Sequence, residues 1–319
     1  MGVWRHDRGV KKPAVSLTRR LSAAGLALGA AVAVLGMAGS ASAEITLQFG
    51  FQDRDVARMV SLGGSCNRCE LSGRDLTGAA FTGAVFTNAT LVGANLRGAE
   101  LQNSNFTGSD FSRADLTGAE MIAANFTGAN FTNANMSGAE ISAAILVRAR
   151  MAGTDLSGAE LNNANMNGAV LTGADLSGAE MNATTLANVN ARSANMQNAE
   201  IAMSNLTNGD FRNVSFRDST LNGARLTGGN FAGADFRNAE MHRADIRGAD
   251  LSRARGLTQE QVQRACGDAH TRLPGNLTPR LCRGFAGVRV TPHPRAMPAP
   301  PAPPVPPRVR NIVVASSGH

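Results

Sequence analysis

Residues 91–120 read LVGANLRGAELQNSNFTGSDFSRADLTGAE, with a large apolar residue at every fifth place: Leu91, Leu96, Leu101, Phe106, Phe111, Leu116. Followed outward, the register holds from Leu71 to Leu251 with no insertion or deletion. Of the 37 positions, 36 are Leu, Phe, Met or Ile, and only Ala191 breaks the series. Leu76, Phe86, Leu96, Phe106, Leu116, Phe126, Met136, Leu156 and Leu176 represent this grid, which should form the core. Two places before each large residue stands a small one, mostly Ala, as at Ala79, Ala84 and Ala89. Asn, Asp or Glu lies between them in most repeats.

A five-residue period fits neither the 3.6-residue turn of an α-helix nor the two-residue alternation of a strand. It sends one large and one small side chain inward on each short segment and then turns the chain. Gly, Asn and Asp tolerate the tight or left-handed backbone of such turns. A second period is superimposed. Glu recurs at Glu100, Glu120, Glu140, Glu160, Glu180, Glu200 and Glu240, with Thr220 the exception. Phe86, Phe106 and Phe126 repeat at the same interval, as do Phe111 with Phe131, Phe211 with Phe231, and Phe216 with Phe236. Twenty residues per coil implies rings stacked from coil to coil. Where the large position shrinks to Ala191, the small position before it grows to Val189, which keeps the interior volume roughly constant, as close packing requires.

The consensus Ala-Asp/Asn-Leu-Ser/Thr-Gly resembles the pentapeptide-repeat family from Cys66 to about Arg255. The resemblance implies an all-β solenoid, a right-handed quadrilateral β-helix with four pentapeptides per coil. About nine coils spaced by about 4.8 Å would span about 43 Å. Short helical caps are expected at both ends, because a solenoid exposes unpaired strand edges and apolar layers there. The expected organisation is a signal peptide over 1–43, an N-terminal capping segment with a short helix over 44–65, and the β-helix over 66–255. A C-terminal cap with a short helix and a disulfide follows over 256–290, then a Pro-rich disordered tail over 291–319.

The leader has a basic stretch (Lys11, Lys12, Arg19, Arg20), the apolar run Ala23–Ala38 and small residues Ala41, Ser42 and Ala43 before Glu44. The apolar run falls short of the roughly 20 residues that span a bilayer, so export with cleavage after Ala43 is expected, to the periplasm or outside. In the N-terminal cap, Asp53 precedes Val56, Met59 and Val60, which would face the first coil.

Four cysteines in an exported chain suggest two disulfides, with three pairings open. Cys66 and Cys69 occupy large and small inward positions of the grid, and the segment from Cys66 to Cys69 resembles the Cys-x-x-Cys opening of exported family members. The region 256–282 resembles a C-terminal cap found with this family, with Thr258 and Gln261 as a capping box. That resemblance implies the pairs Cys66–Cys69 and Cys266–Cys282. A four-cysteine zinc site would require the two ends of the rod to meet.

No catalytic, cofactor or metal constellation emerges, and the chain reads as non-enzymatic. Lys is confined to residues 11 and 12, which removes Ser-x-x-Lys and phosphate-loop lysines from the repeats, and the glycines are turn formers. His242 falls on an outward position with no second His in register. Beyond residue 43 the chain holds 25 basic and 23 acidic residues, so its overall pI of about 10.4 reflects the leader and makes no case for nucleic acid. The column Glu100, Glu120, Glu140, Glu160, Glu180 and Glu200 is the candidate binding face, either for a cationic partner or as a relic of duplication. The expected role is an exported structural or interaction module for a protein or envelope component, with end-to-end homodimers as one arrangement. The alternative follows the family members that resemble DNA in shape and charge and occupy topoisomerases. The leader and a repeat region of 18 acidic against 15 basic residues disfavour it.

Overall fold

The computed structural model describes residues 65–282. The expected leader, the N-terminal capping helix and the Pro-rich tail lie outside the described residues.

Each pentapeptide places its five backbone N–H groups in a repeating way, illustrated by Asp75 to Ala79. Leu76 N–H donates to Asn95 O at 2.7 Å and Gly78 N–H to Arg97 O at 3.0 Å, both one coil ahead. Ala79 N–H closes a tight turn onto Leu76 O at 3.0 Å. Thr77 N–H donates to the Asp75 carboxylate at 3.2 Å. The residue before the large one donates backward, as Asn95 N–H does to Arg74 O at 2.9 Å. A residue with positive φ at the third turn position, with a bond from the fourth N–H to the first carbonyl, is a type II turn. Gly78 stands there at φ +62°. This is why Gly and Asn mark the repeat: they enter the left-handed region at least cost.

These bonds build parallel bridges between residues twenty apart, beginning with Glu70–Thr90, Asp75–Asn95, Ala80–Glu100 and Val85–Asn105 and continuing to Asp235–Arg255. Four bridge columns per twenty residues define a β-helix of stacked coils. The bridges are single-residue contacts, because each segment turns again within five residues.

The interior is one continuous core. Leu76, Leu96, Phe106, Leu116, Phe126, Met136, Leu156 and Leu176 are fully buried and Phe86 nearly so, with Ala79, Ala84, Ala89 and Ala99 beside them. Phe86, Phe106 and Phe126 stack with ring centroids 5.5 and 5.7 Å apart, and Phe111 stacks on Phe131 at 4.9 Å. Phe211 and Phe231 stand 5.0 Å apart, and Phe216 and Phe236 5.1 Å. Neighbours within a coil meet edge-on, as Phe106 does with Phe111 at 5.2 Å. Both geometries suit the aromatic quadrupole. Where Ser or Thr takes the small inward place, its hydroxyl donates to a backbone carbonyl. Ser109 bonds Phe86 O at 2.6 Å, Thr154 bonds Phe131 O at 2.7 Å and Thr184 bonds Leu161 O at 2.7 Å. A buried hydroxyl without such a partner would cost its full desolvation. Ala191 and Val189 are both buried.

At the C-terminal end a six-residue helix, α1 (Gln259–Arg264), replaces a pentapeptide. Thr258 and Gln261 form its capping box, and Val262 is buried against the core. The Gln261 side-chain amide also donates to Phe236 O at 2.9 Å and Ala239 O at 2.8 Å, fastening α1 to the last coil. Beyond α1 the ladder resumes with stretched register, at Asp245–Cys266 and Asp250–Arg272. The cap therefore continues the hydrogen bonding of the terminal coil while leaving the five-residue period. The Cys266–Cys282 disulfide has a Cα–Cα separation of 4.8 Å and ties the bridge Gly267–Leu281 to this layer. At the other end Cys66 and Cys69 are also joined.

Candidate binding face

Bridges Glu100–Glu120, Glu120–Glu140, Glu140–Glu160, Glu160–Glu180 and Glu180–Glu200 place the six carboxylates in one column, and all six residues are exposed. Like charges directly opposite on neighbouring strands repel, so what surrounds each carboxylate matters. Several receive amide donors from the preceding coil, eighteen residues earlier. Asn162 donates to Glu180 at 3.2 Å, Asn182 to Glu200 at 3.2 Å, and Asn222 to Glu240 at 2.8 Å. The Gln102 amide donates to Glu120. The corresponding places before Glu140 and Glu160 carry Ile122 and Ser142, so the middle of the column lacks these amides.

The other faces treat their carboxylates differently. Asp and Asn, one methylene shorter than Glu, fold back onto the N–H two residues on. Asp115 accepts from both the amide (3.1 Å) and the hydroxyl (2.5 Å) of Thr117. The Asx residues thus close their own turns, while the Glu carboxylates project from the face and meet neighbouring coils. Side-chain amides also run up the ladders, as Asn95 to Asp75 at 3.2 Å and Asn130 to Asp110 at 2.9 Å.

Towards the C-terminal coils, arginines two residues beyond the Asx position pair with these carboxylates. Asp210 is shared by Arg192 at 2.6 Å and Arg212 at 2.8 Å, so the stacked Arg192 and Arg212 meet over a carboxylate. Arg237 grips Asp235, and its hydrogen bonds hold that carboxyl below the usual range against the opposing effect of burial. At Asp245 burial pushes the carboxyl upward, but hydrogen bonds from the Arg247 side chain and backbone outweigh it, and the net shift is downward. At Asp115 burial likewise pushes upward, and hydrogen bonds from Thr117 and Arg97 prevail over it.

His242 is exposed, and its backbone N–H donates to Asn222 Oδ1 at 2.9 Å. It lines a cleft of about 690 Å³ between α1 and the last coil, together with Arg237, Glu240, Glu260 and Arg264. Asp245, Cys266 and Cys282 lie within ligand distance of one another, but the two sulfurs are bonded to each other and offer no thiolate. Among the described residues no helix is long and apolar enough to cross a membrane.

The sequence family described as pentapeptide repeats matches residues 65–103, 94–133, 134–173, 174–213 and 215–253. The chain belongs to the pentapeptide-repeat family. Among solved structures it is similar to HetL, a pentapeptide repeat protein involved in heterocyst differentiation regulation in Nostoc sp. strain PCC 7120. Identity is 23%, covering 70% of this chain and 99% of HetL, with a TM-score of 0.46. A trypsin-treated form of QnrB1, a plasmid-mediated fluoroquinolone resistance protein, is 18% identical over 64% of this chain and 92% of its own, with a TM-score of 0.34. A pentapeptide repeat protein of the Arabidopsis thaliana thylakoid lumen is 29% identical over 38% of this chain and 73% of its own, with a TM-score of 0.25. No curated protein matches the chain.

Proposed function

We propose that this protein is an exported, non-catalytic interaction module, a right-handed quadrilateral β-helix whose Glu face binds a basic surface of another protein or envelope component. The carrying observation is the column from Glu100 to Glu200, six exposed carboxylates held in bridged register on one face. A cationic surface relieves the repulsion between them and needs no rearrangement of a scaffold whose backbone bonds are already made. The leader over 1–43 supports a periplasmic or secreted location. Homodimers would form through the ends of the helix rather than through this face. The same leader, and the arginines that neutralise the C-terminal coils, weigh against the DNA-like reading.

The test has two parts. Fractionation should recover the protein outside the inner membrane with residues 1–43 removed. Chemical cross-linking in that compartment should then capture a partner through the native protein and lose it with Glu120→Gln, Glu160→Gln and Glu200→Gln combined. Retention inside the inner membrane would contradict the location, and undiminished capture by the triple variant would contradict the face.

A further inference from the structure

Three repeats of this chain share an Asp-x-Arg arrangement in which one side chain neutralises the other. Arg212 Nε donates to Asp210 at 2.8 Å, Arg237 Nε to Asp235 at 2.9 Å, and Arg247 Nε to Asp245 at 2.9 Å. In each the Arg backbone N–H points at the same carboxylate, at 3.4, 3.2 and 3.2 Å. The repeat Ser215-Phe216-Arg217 has the same backbone. Ser215 N–H donates to Ala194 O at 3.1 Å, Phe216 N–H to Asp235 O at 2.8 Å, and Ser215 bridges Asp235. What differs is the side chain, because serine stands where the aspartate carboxylate would be. Ser215 Oγ and Arg217 Nε are both buried and have no hydrogen-bond partner among the described residues.

The carboxylate that register would offer Arg217 is Asp235, eighteen residues on. Arg97 reaches Asp115 over that spacing at 3.2 Å, and Arg192 reaches Asp210 at 2.6 Å. Asp210 serves both Arg192 and its own Arg212, but Asp235, which Arg237 holds through Nε and a terminal nitrogen, makes no ion pair with Arg217 among the described residues. Among the described residues Arg217 thus has a cationic donor, a neighbouring hydroxyl and no acidic partner of its own.

We propose that Ser215 and Arg217 form a notch that binds an oxyanion, a carboxylate or a phosphate, in the place that aspartate fills in the sister repeats. The chain itself shows the geometry of the occupied site three times over. Charge-assisted bonds from a guanidinium to an oxyanion are the strong class of hydrogen bond, and an unpaired buried donor gains most from them. Both residues are half-buried, so the Arg217 side chain can turn outward to admit the anion. This site lies on a different bridge column from the Glu face and does not depend on it.

The experiment follows the melting temperature of the full chain as acetate or phosphate replaces chloride at constant ionic strength. Native protein should show a saturable rise with either anion. Response to both assigns a general oxyanion notch, and response to phosphate alone narrows the class to phosphate. Ser215→Asp supplies the carboxylate within the chain, so it should melt higher in chloride and lose the anion increment. Arg217→Gln should lose the increment with no such gain. No saturable rise in the native protein, or an equal rise in both variants, overturns the proposal.

Discussion

The Cβ that Gly153 lacks would stand 2.5 Å from Oδ1 of Asn133, twenty residues earlier in the adjoining coil. The same overlay joins Gly108 to Asn88, Gly228 to Asn208 and Gly233 to Asn213. An Asn in one coil folds over the bare Cα of the next. Gly158 has φ +62°, close to the +64° of Gly153, but no atom of the described residues lies within 4 Å of its missing Cβ. Gly158→Ala should therefore cost only the left-handed strain, about 1 kcal/mol, a strain that Ala123 and Ala143 already carry at φ 55° and 58°. Gly153→Ala should cost more, and Asn133→Gly in that background should recover the excess. Denaturant unfolding of these three variants and of Asn133→Gly alone checks the coupling.

At Ala191 the inward position is buried although its side chain is small, and Val189 beside it is buried too. Ala191→Leu should overpack this coil and destabilise by about 1–3 kcal/mol. Adding Val189→Ala should recover most of that loss. A double-mutant cycle by thermal unfolding measures the exchange, and stabilisation by Ala191→Leu alone would mean that a void exists there.

Such inward relationships were legible in the sequence because they depend only on the five- and twenty-residue periods. The grid, the Phe stacks and the Glu column all follow from counting. The outer contacts were not legible. Whether Asn162 reaches Glu180, or Asn133 lies over Gly153, depends on side-chain direction between residues eighteen to twenty apart, and the same residue types elsewhere bond differently. The cap was legible only in part. The capping box of Thr258 and Gln261 shows in the spacing, but the second role of Gln261, donating to Phe236 O and Ala239 O, requires knowing where the last coil ends.

The uneven support along the Glu column sets a direction for each substitution. Glu140→Gln and Glu160→Gln remove like-charge repulsion where no preceding amide donates, and each should raise stability by a few tenths of a kcal/mol. Glu180→Gln also alters the bond from Asn162, so its gain should be smaller or absent. Melting temperatures at low salt distinguish the two cases, and the difference should shrink as salt is added. If the stabilised variants also bind the partner undiminished, the column is a relic of duplication.

Acid should loosen the structure through its aspartates. The folded-state carboxyls of Asp75, Asp115, Asp235, Asp245, Asp250 and Asp268 all lie below the ordinary value of 3.8. A lowered folded value contributes stability that is complete above the unfolded value and is lost as pH falls through the folded one. Stability should therefore be level above about pH 5 and decline below about pH 4. Asp235→Asn should reduce the steepness of that decline. A curve through the acid range unchanged by the substitution would show that the Arg237 pairing does not contribute.

The twenty-residue coil is tested most directly by which outward positions can be cross-linked. Glu140 and Glu160 are bridged neighbours on one face, whereas Asp155 is bridged to Asn135 on another. Neighbouring strands lie about 4.8 Å apart, within the Cα–Cα range of about 4.4–6.8 Å that a disulfide spans. The measurement is a non-reducing peptide map of two oxidised double variants, Glu140→Cys with Glu160→Cys and Glu140→Cys with Asp155→Cys. The stacked coil predicts an intramolecular disulfide in the first and free thiols in the second. Closure of the second pair with the first left reduced would contradict the coil.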